Sequence, residues 1–441
     1  MSHKPESGKP QSKEPGGKLI QSAIGSFGFR IAQLGLSFLV SVLLTRTLGV
    51  EGYGIYAYAM SWVLILNIIG SLGSRGLVVR EIATNRSQEK WGVIRGFMQW
   101  SNSIVLVTSV AISVLFAVVM WQFSSINDTE TFQALLVSMI LVPILSLTIL
   151  RQSAMQGFGH ILQGQLSENI FEPLFFIAFL VGAYFLNIEE LTATWAMGFK
   201  VLSGFLAFAI GAFLLYRVIP TPVKSATPEY QIQQWLPSMF SLVFLAGTGV
   251  IYSRTDAVML GMMAGPSAVG LYAIAKRLAG FILISQQVGA NVLGPHVASL
   301  YSSGEIKRLQ ELTKKSTRVV VAYAFPLTLG LIIFSSWVLS IFGAEFVQSR
   351  YILIILCVTK LLNAATGPVG LLLTMTHYER INAAVTGTGA VLNLVLNFLL
   401  IPRFGAEGAA MATGITSVLA NVYLAIVVYR RLGINSTILN W

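Results

Sequence analysis

The stretch "LGVEGYGIYAYAMSW" at 48–62 returns in altered form as "AGPSAVGLYAIAKRL" at 264–278. Gly54-x-Tyr56-Ala57-x-Ala59 aligns with Gly270-x-Tyr272-Ala273-x-Ala275, a shift of 216 residues. Each copy opens an apolar run long enough to cross a bilayer. A short match in Gly- and Ala-rich sequence can arise by chance, but its coincidence with the register of the spans favours duplication. Midway between the copies lies "RVIPTPVKSATPEYQ" at 217–231, a polar run with three prolines.

The remainder of the chain has the same character. Of its 441 residues, 55 % are hydrophobic and 11 % charged, against roughly 25 % charged in a soluble domain. Runs of about 20 apolar residues suffice to span a bilayer. Twelve candidates occur, at 19–45, 53–74, 93–121, 132–156, 164–186, 191–216, 233–262, 267–293, 316–342, 350–375, 381–401 and 406–429. The predicted fold class is an all-α polytopic membrane protein. Its twelve or so transmembrane helices form two six-helix lobes related by a parallel repeat, with a central cavity between them. Residues 19–216 read as the N-lobe, 217–232 as a cytoplasmic linker and 233–441 as the C-lobe. Residues 1–18, polar and rich in Pro and Gly, lack the apolar core of a cleavable signal and read as a disordered cytoplasmic tail.

The net charge of +11 has a sidedness that speaks against nucleic acid. Twenty Lys and Arg fall at one set of span ends, among them Arg75, Arg80, Arg86, Arg151, Lys224 and Arg380. The opposite ends hold only Arg46, Arg350 and Arg403. By the positive-inside rule both termini are cytoplasmic. The single cysteine, Cys357, stands in an apolar run and reads as an inert core residue. The four histidines show no metal-ligand spacing, no Gly-rich phosphate loop ends in Lys-Ser or Lys-Thr, and the loops are too short for a catalytic domain. No enzyme, metal or cofactor is expected.

Six cations lie within the spans: Arg30, Lys200, Arg254, Lys276, Arg277 and Lys360. Each costs about 2.5–3.5 kcal/mol at the centre of a membrane helix. At 1.5 Å per residue, Arg30, Lys200, Arg277 and Lys360 fall within roughly 6 Å of their span midpoints, and Arg254 about 9 Å outward. One reading pairs each with an acid or lets it snorkel to a headgroup. Arg254 and Asp256 cannot pair with each other, being about 200° apart around the helix. The other reading is a wet central cavity lined by cations for a phosphate or diphosphate. Lys276 and Arg277 point about 100° apart, so only one of them is expected to face it. Asp256 and Glu172 are the clearest acids, open to an ion-coupling role or to bonding a neighbouring helix. Asn67, Asn291, Asn363, Asn393 and Asn397 are expected to bond between helices.

The ordered set of motifs resembles the polysaccharide flippases of the multidrug/oligosaccharidyl-lipid/polysaccharide exporter superfamily. It is carried by "LLTRTLGVEGYGIYAYAMSW" (43–62), "GSLGSRGLVVREIA" (70–83), "RTDAVMLGMMAGPSAVGLYAIAKRL" (254–278) and "NFLLIPRFGAEGAAMATGITS" (397–417). The resemblance implies a V-shaped pair of lobes that moves polyprenyl-diphosphate-linked oligosaccharides by alternating access, driven by an ion gradient. It implies diphosphate-binding cations, for which Arg30 and Arg277 are the nearest matches by position. It also implies work beside glycosyltransferases and a polysaccharide polymerase. The acid that cation-coupled drug exporters often carry on the first helix is missing, since 19–45 holds no Asp or Glu. A drug or metabolite antiporter of the same superfamily is thus the alternative, and a membrane enzyme of polysaccharide assembly a third.

Overall fold

The computed structural model describes residues 16–122, 129–186 and 191–438. The tail reading therefore falls outside the described residues as far as residue 15, while 16–18 already belong to the first helix. Among the described residues there are helices and turns but no strands.

The first half is built from α1 (Gly16–Gly70), α2 (Arg75–Ser87), α3 (Trp91–Gln122), α4 (Thr129–Met139), α5 (Leu141–Gly157), α6 (Ile161–Leu166), α7 (Glu172–Phe185), α8 (Ala193–Val218) and the short α9 (Thr221–Ser225). A π-helical turn, Ser167–Phe171, joins α6 to α7. The second half holds α10 (Ile232–Met263), α11 (Pro266–Gly280), α12 (Ile284–Ser302), α13 (Ile306–Ile333), α14 (Ser335–Ser340), α15 (Arg350–Ala365), α16 (Val369–Met375) and α17 (Glu379–Leu432).

Eight of the described helices or helix runs are long and apolar enough to cross a bilayer, and a ninth crossing is the pair through Ala365 and Val369, bent by 42°. Two helices cross twice: α1 is broken only at Gly49 (φ 67°) and α17 only at Gly405 (φ 55°). At about 1.5 Å per residue, the 32 residues of α10 also reach across, which completes the twelve expected crossings. The loop expected between spans one and two is thus a single glycine break. Its counterpart between spans seven and eight is Gly265 (φ 83°), 216 residues later. Both positions need the left-handed region, where glycine avoids a Cβ clash. The loop expected after residue 74 contains α2, which buries Leu77, Val78 and Ile82 and leaves Arg75 and Arg80 exposed.

The repeat motifs from the two halves meet each other. A Cβ on Gly54 would overlap the Pro266 carbonyl, and one on Gly270 would overlap the Val50 carbonyl. Val50 and Pro266 are also repeat equivalents, so the contact is reciprocal. Around it lies the largest buried cluster, drawn from both halves: Leu44, Tyr53, Tyr56, Tyr272, Ile274, Phe342 and Phe346 among others. Toward the side rich in Lys and Arg, the halves keep separate cores, except that the first turns of α10 enter the core of the first half. One joins Leu77, Ile82, Ile94 and Phe97, and the other Val297, Leu309, Leu372 and Val428. The lobes are joined at the far end and parted at the basic end.

The segment between the halves is strapped to the first. Arg95 donates to the Lys224 and Ala226 carbonyls, both at 2.7 Å, and the Glu229 amide donates to the Gly92 carbonyl at 3.0 Å. Trp235 and Met239, on the first turns of α10, sit in the core of the first half. Arg151, counted among the cations at the basic span ends, is instead inside the protein at 4 % exposure. Helix α5 ends at Gly157, within one residue of the expected span end, so Arg151 lies about 9 Å in from that end, where it pairs with Glu168 and donates to Ser167.

Candidate functional site

Between the joined end and the parted ends lies a cavity of about 610 Å³. Its walls come from both broken or bent repeat elements: α1 supplies Arg30, Ser37, Tyr53, Tyr56 and Ser61, while α10 and α11 supply Ser253, Arg254, Tyr272, Lys276 and Arg277. A side chamber of about 210 Å³ reaches into the first half and is lined by Gln33, Glu168, Asn169, Glu172 and Lys200. Ser37, Tyr53, Tyr56 and Arg277 line both spaces and mark where they adjoin.

Four of the six expected cations, Arg30, Arg254, Lys276 and Arg277, therefore converge on one cavity, though they start on three helices. Lys276 and Arg277 both line it, against the expectation that only one would. The long, flexible lysine stem accounts for this: Lys276 turns back toward α10, donating to the Ser253 carbonyl at 2.8 Å and to Asp256 at 3.0 Å. Arg277 crosses the gap between the halves and donates to the carbonyl and hydroxyl of Ser37. Arg30 donates to Gln33 at 2.8 Å, and Gln33 passes the chain on to Asn169 at 2.7 Å. Among the described residues, Arg30, Arg254 and Arg277 have no carboxylate partner.

The other two cations are placed differently. Lys200 lines the side chamber and is ion-paired with Glu172. Lys360, half-buried on α15, lines neither space and stands within electrostatic reach of Lys276 and Asp256. Both expected acids are thus engaged: Glu172 by Lys200, and Asp256 by Lys276, Tyr272, Asn397 and Thr413. Asn67 bonds Ser146 at 3.1 Å, and Asn363 bonds Ser417 at 2.7 Å, so the interhelical role expected of asparagines holds for both. Asn397 bonds Asp256 across helices and Asn393 on its own helix. The side chain of Asn291 lies outside the described residues.

Sequence reasoning missed Gln33, Ser37, Glu168 and Asn169. Glu168 and Glu172 are four apart beside a π-helical turn, a feature that often accompanies functional positions, and that spacing was the available signal. No cluster of metal-ligating side chains occurs among the described residues.

The net charge facing the cavity is what chemistry can use. Three guanidiniums without carboxylates, in a space walled by low-dielectric protein, attract a compact polyanion and match phosphate oxygens two at a time. The volume lies within the range of about 300–1,000 Å³ common to small-molecule sites.

Comparison with known proteins agrees with this architecture. The chain is 26 % identical over 405 residues to the "Probable low-salt glycan biosynthesis flippase Agl15" of Haloferax volcanii, covering 90 % of this chain and 81 % of the relative. Among solved structures, an inward-facing multidrug resistance MATE family transporter superposes with a TM-score of 0.75 at 13 % identity, covering 91 % of this chain and 94 % of the other. The lipid II flippase MurJ in an inward closed conformation superposes with a TM-score of 0.69 at 17 % identity, covering 93 % and 87 %. The fold is the two-lobe, twelve-span arrangement of these carriers. The family described as "Polysaccharide biosynthesis protein" matches residues 19–301. The chain is a multi-pass membrane protein that belongs to this polysaccharide biosynthesis family.

Proposed function

We propose that this protein is a flippase that carries a polyprenyl-diphosphate-linked oligosaccharide from the cytoplasmic to the outer leaflet by alternating access, for cell-surface polysaccharide assembly. The observation that carries the reading is the convergence of Arg30, Arg254 and Arg277, free of carboxylates among the described residues, on the cavity between the lobes. Three positive charges exceed the two negative charges of a diphosphate diester, so the headgroup can leave water without losing its counter-charge. Lys276 stands beside them, and Lys200 and Lys360 form a more distant set. The function of the relatives, glycan flippase and lipid II flippase by name, points the same way, and they are carriers rather than catalysts.

The working unit divides into an N-lobe of 19–216, a linker of 217–232 and a C-lobe of 233–441. Both termini face the cytoplasm in the plasma membrane, and the parted, basic end of the cavity opens there. Glycosyltransferases supply the passenger and a polymerase receives it. A coupling ion at Asp256 or Glu172 would have to displace the lysine that each now holds. A drug or metabolite antiporter has the shared fold in its favour, but hydrophobic cationic drugs call for acids where this cavity offers arginines.

Replacing Arg30 or Arg277 by Ala is expected to abolish surface-polysaccharide export at normal protein levels, with partial rescue by Lys. Movement of a lipid-linked sugar in vesicles, with the pH or sodium gradient varied, measures the same step directly. Full activity of the double Ala variant would remove the diphosphate site.

A further inference from the structure

Asp256 and Lys276 form an ion pair unlike that of Glu172 and Lys200. Asp256 is buried, at 1 % exposure, and does not line the cavity. Lys276 does line it, and its side chain is 32 % exposed against 2 % for that of Asp256. The ammonium thus stands on the boundary between a buried acid and an anion-seeking space. Two of its three N–H groups are spent, one on Asp256 and one on the Ser253 carbonyl. Asp256 in turn does not depend on the lysine alone. Its Oδ2 also accepts from the Tyr272 hydroxyl at 2.6 Å and from Thr413 at 3.0 Å, and its Oδ1 accepts from Asn397 at 3.1 Å. Glu172 has no hydrogen-bond donor besides Lys200 among the described residues. Removing the lysine would therefore strand Glu172 but leave Asp256 with three neutral donors, one from α11 and one from each arm of α17, that hold a carboxylate in place.

We propose, on the diphosphate reading above, that Asp256 is a positioning residue that competes with the passenger's diphosphate for Lys276. In the empty cavity the ammonium rests on Asp256. When the diphosphate reaches Arg30, Arg254 and Arg277, the ammonium swings onto a phosphate oxygen, and Tyr272, Thr413 and Asn397 keep the carboxylate satisfied. When the headgroup departs, Asp256 takes the lysine back. The acid thereby moderates the affinity of a strongly cationic cavity, so that the passenger is released as well as bound. The competition is a matter of charge within one site, and no covalent step is involved.

The test uses the full-length protein in detergent or nanodiscs with inorganic pyrophosphate as the probe, titrated calorimetrically at fixed salt. Asp256→Asn is expected to bind pyrophosphate about tenfold more tightly, because the ammonium stays near Asp256 after it swings and only part of their attraction is at stake, while its vesicle flipping rate falls. Lys276→Gln is expected to bind more weakly. The double variant should bind as Lys276→Gln does, because Asp256 acts through the lysine. Thr413→Val keeps the carboxylate and its fold but removes a neutral donor, so the acid grips the lysine harder and pyrophosphate affinity should fall. Unchanged or weaker binding by Asp256→Asn, with the wild type binding normally, overturns the competition and leaves the diphosphate site standing. If Asp256→Asn does not fold, unchanged or tighter binding by Thr413→Val overturns it. Wild-type protein that binds no pyrophosphate overturns both.

Discussion

Lys200 reaches from α8 to Glu172 on α7, and the two side chains are only 18 % and 13 % exposed. A pair so enclosed has already paid its desolvation, and removing one partner leaves the other stranded. Lys200→Met is therefore expected to destabilise the protein by about 3–5 kcal/mol, while Lys200→Met combined with Glu172→Gln should recover most of that loss. Thermal unfolding of the purified variants in detergent reads the difference. If the single variant unfolds at the wild-type temperature, the pair is not structural and Lys200 joins the cavity cations. The same reasoning separates the cavity arginines, whose charge is spent on no acid among the described residues, from Arg151, which is buried against Glu168.

Among the elements, the crossing of α1 and α11 is the tightest constraint. Gly54 and Gly270 let two helices approach until each backbone touches the other, as small residues do at membrane helix interfaces. Gly54→Ala would drive a methyl into the Pro266 carbonyl. The expected result is a loss of about 1–3 kcal/mol through overpacking, read as a lower unfolding temperature and a far end that no longer closes. Gly28→Ala serves as the control, since a Cβ there meets nothing within 4 Å. Equal unfolding temperatures for the two variants would show that the crossing does not hold the lobes.

The whole molecule is organised by where its cores are shared. A common core at the far end and separate cores at the basic end describe a carrier open on one side, and alternating access requires the far contacts to part. Besides the glycine crossing they include Arg46, which donates to the Ser340 and Ile341 carbonyls at 2.7 and 2.8 Å, and Glu345, which accepts from the Val50 amide at 3.4 Å. Arg46→Ala should shift the balance by about 1 kcal/mol, roughly fivefold in population, toward opening at that end. A cysteine introduced as Tyr53→Cys in a Cys357→Ala background, probed with a membrane-impermeant thiol reagent from outside, reports it. Labelling no faster in the Arg46→Ala variant would rule out this latch.

Much of this was legible in the chain itself. Apolar run lengths, the 216-residue repeat and the sidedness of Lys and Arg gave twelve crossings and two lobes, because a bilayer demands spans of fixed length and satisfied backbones. The cations were visible for the same reason: a charge in an apolar run is conspicuous. Their partners were not, because a helical bundle closes contacts between residues remote in sequence. Asp256 meets Thr413 across 157 positions, Arg277 meets Ser37 across 240, and even Lys200 meets Glu172 across 28. Arg151 was counted with the basic span ends because its partner, Glu168, comes from beyond the turn that follows α5. The sequence by itself determined the membrane fold and which charges require explanation. Only the tertiary structure decided which of them are neutralised and which face the cavity, since charge pairing depends on distances of a few ångströms that no spacing along the chain encodes.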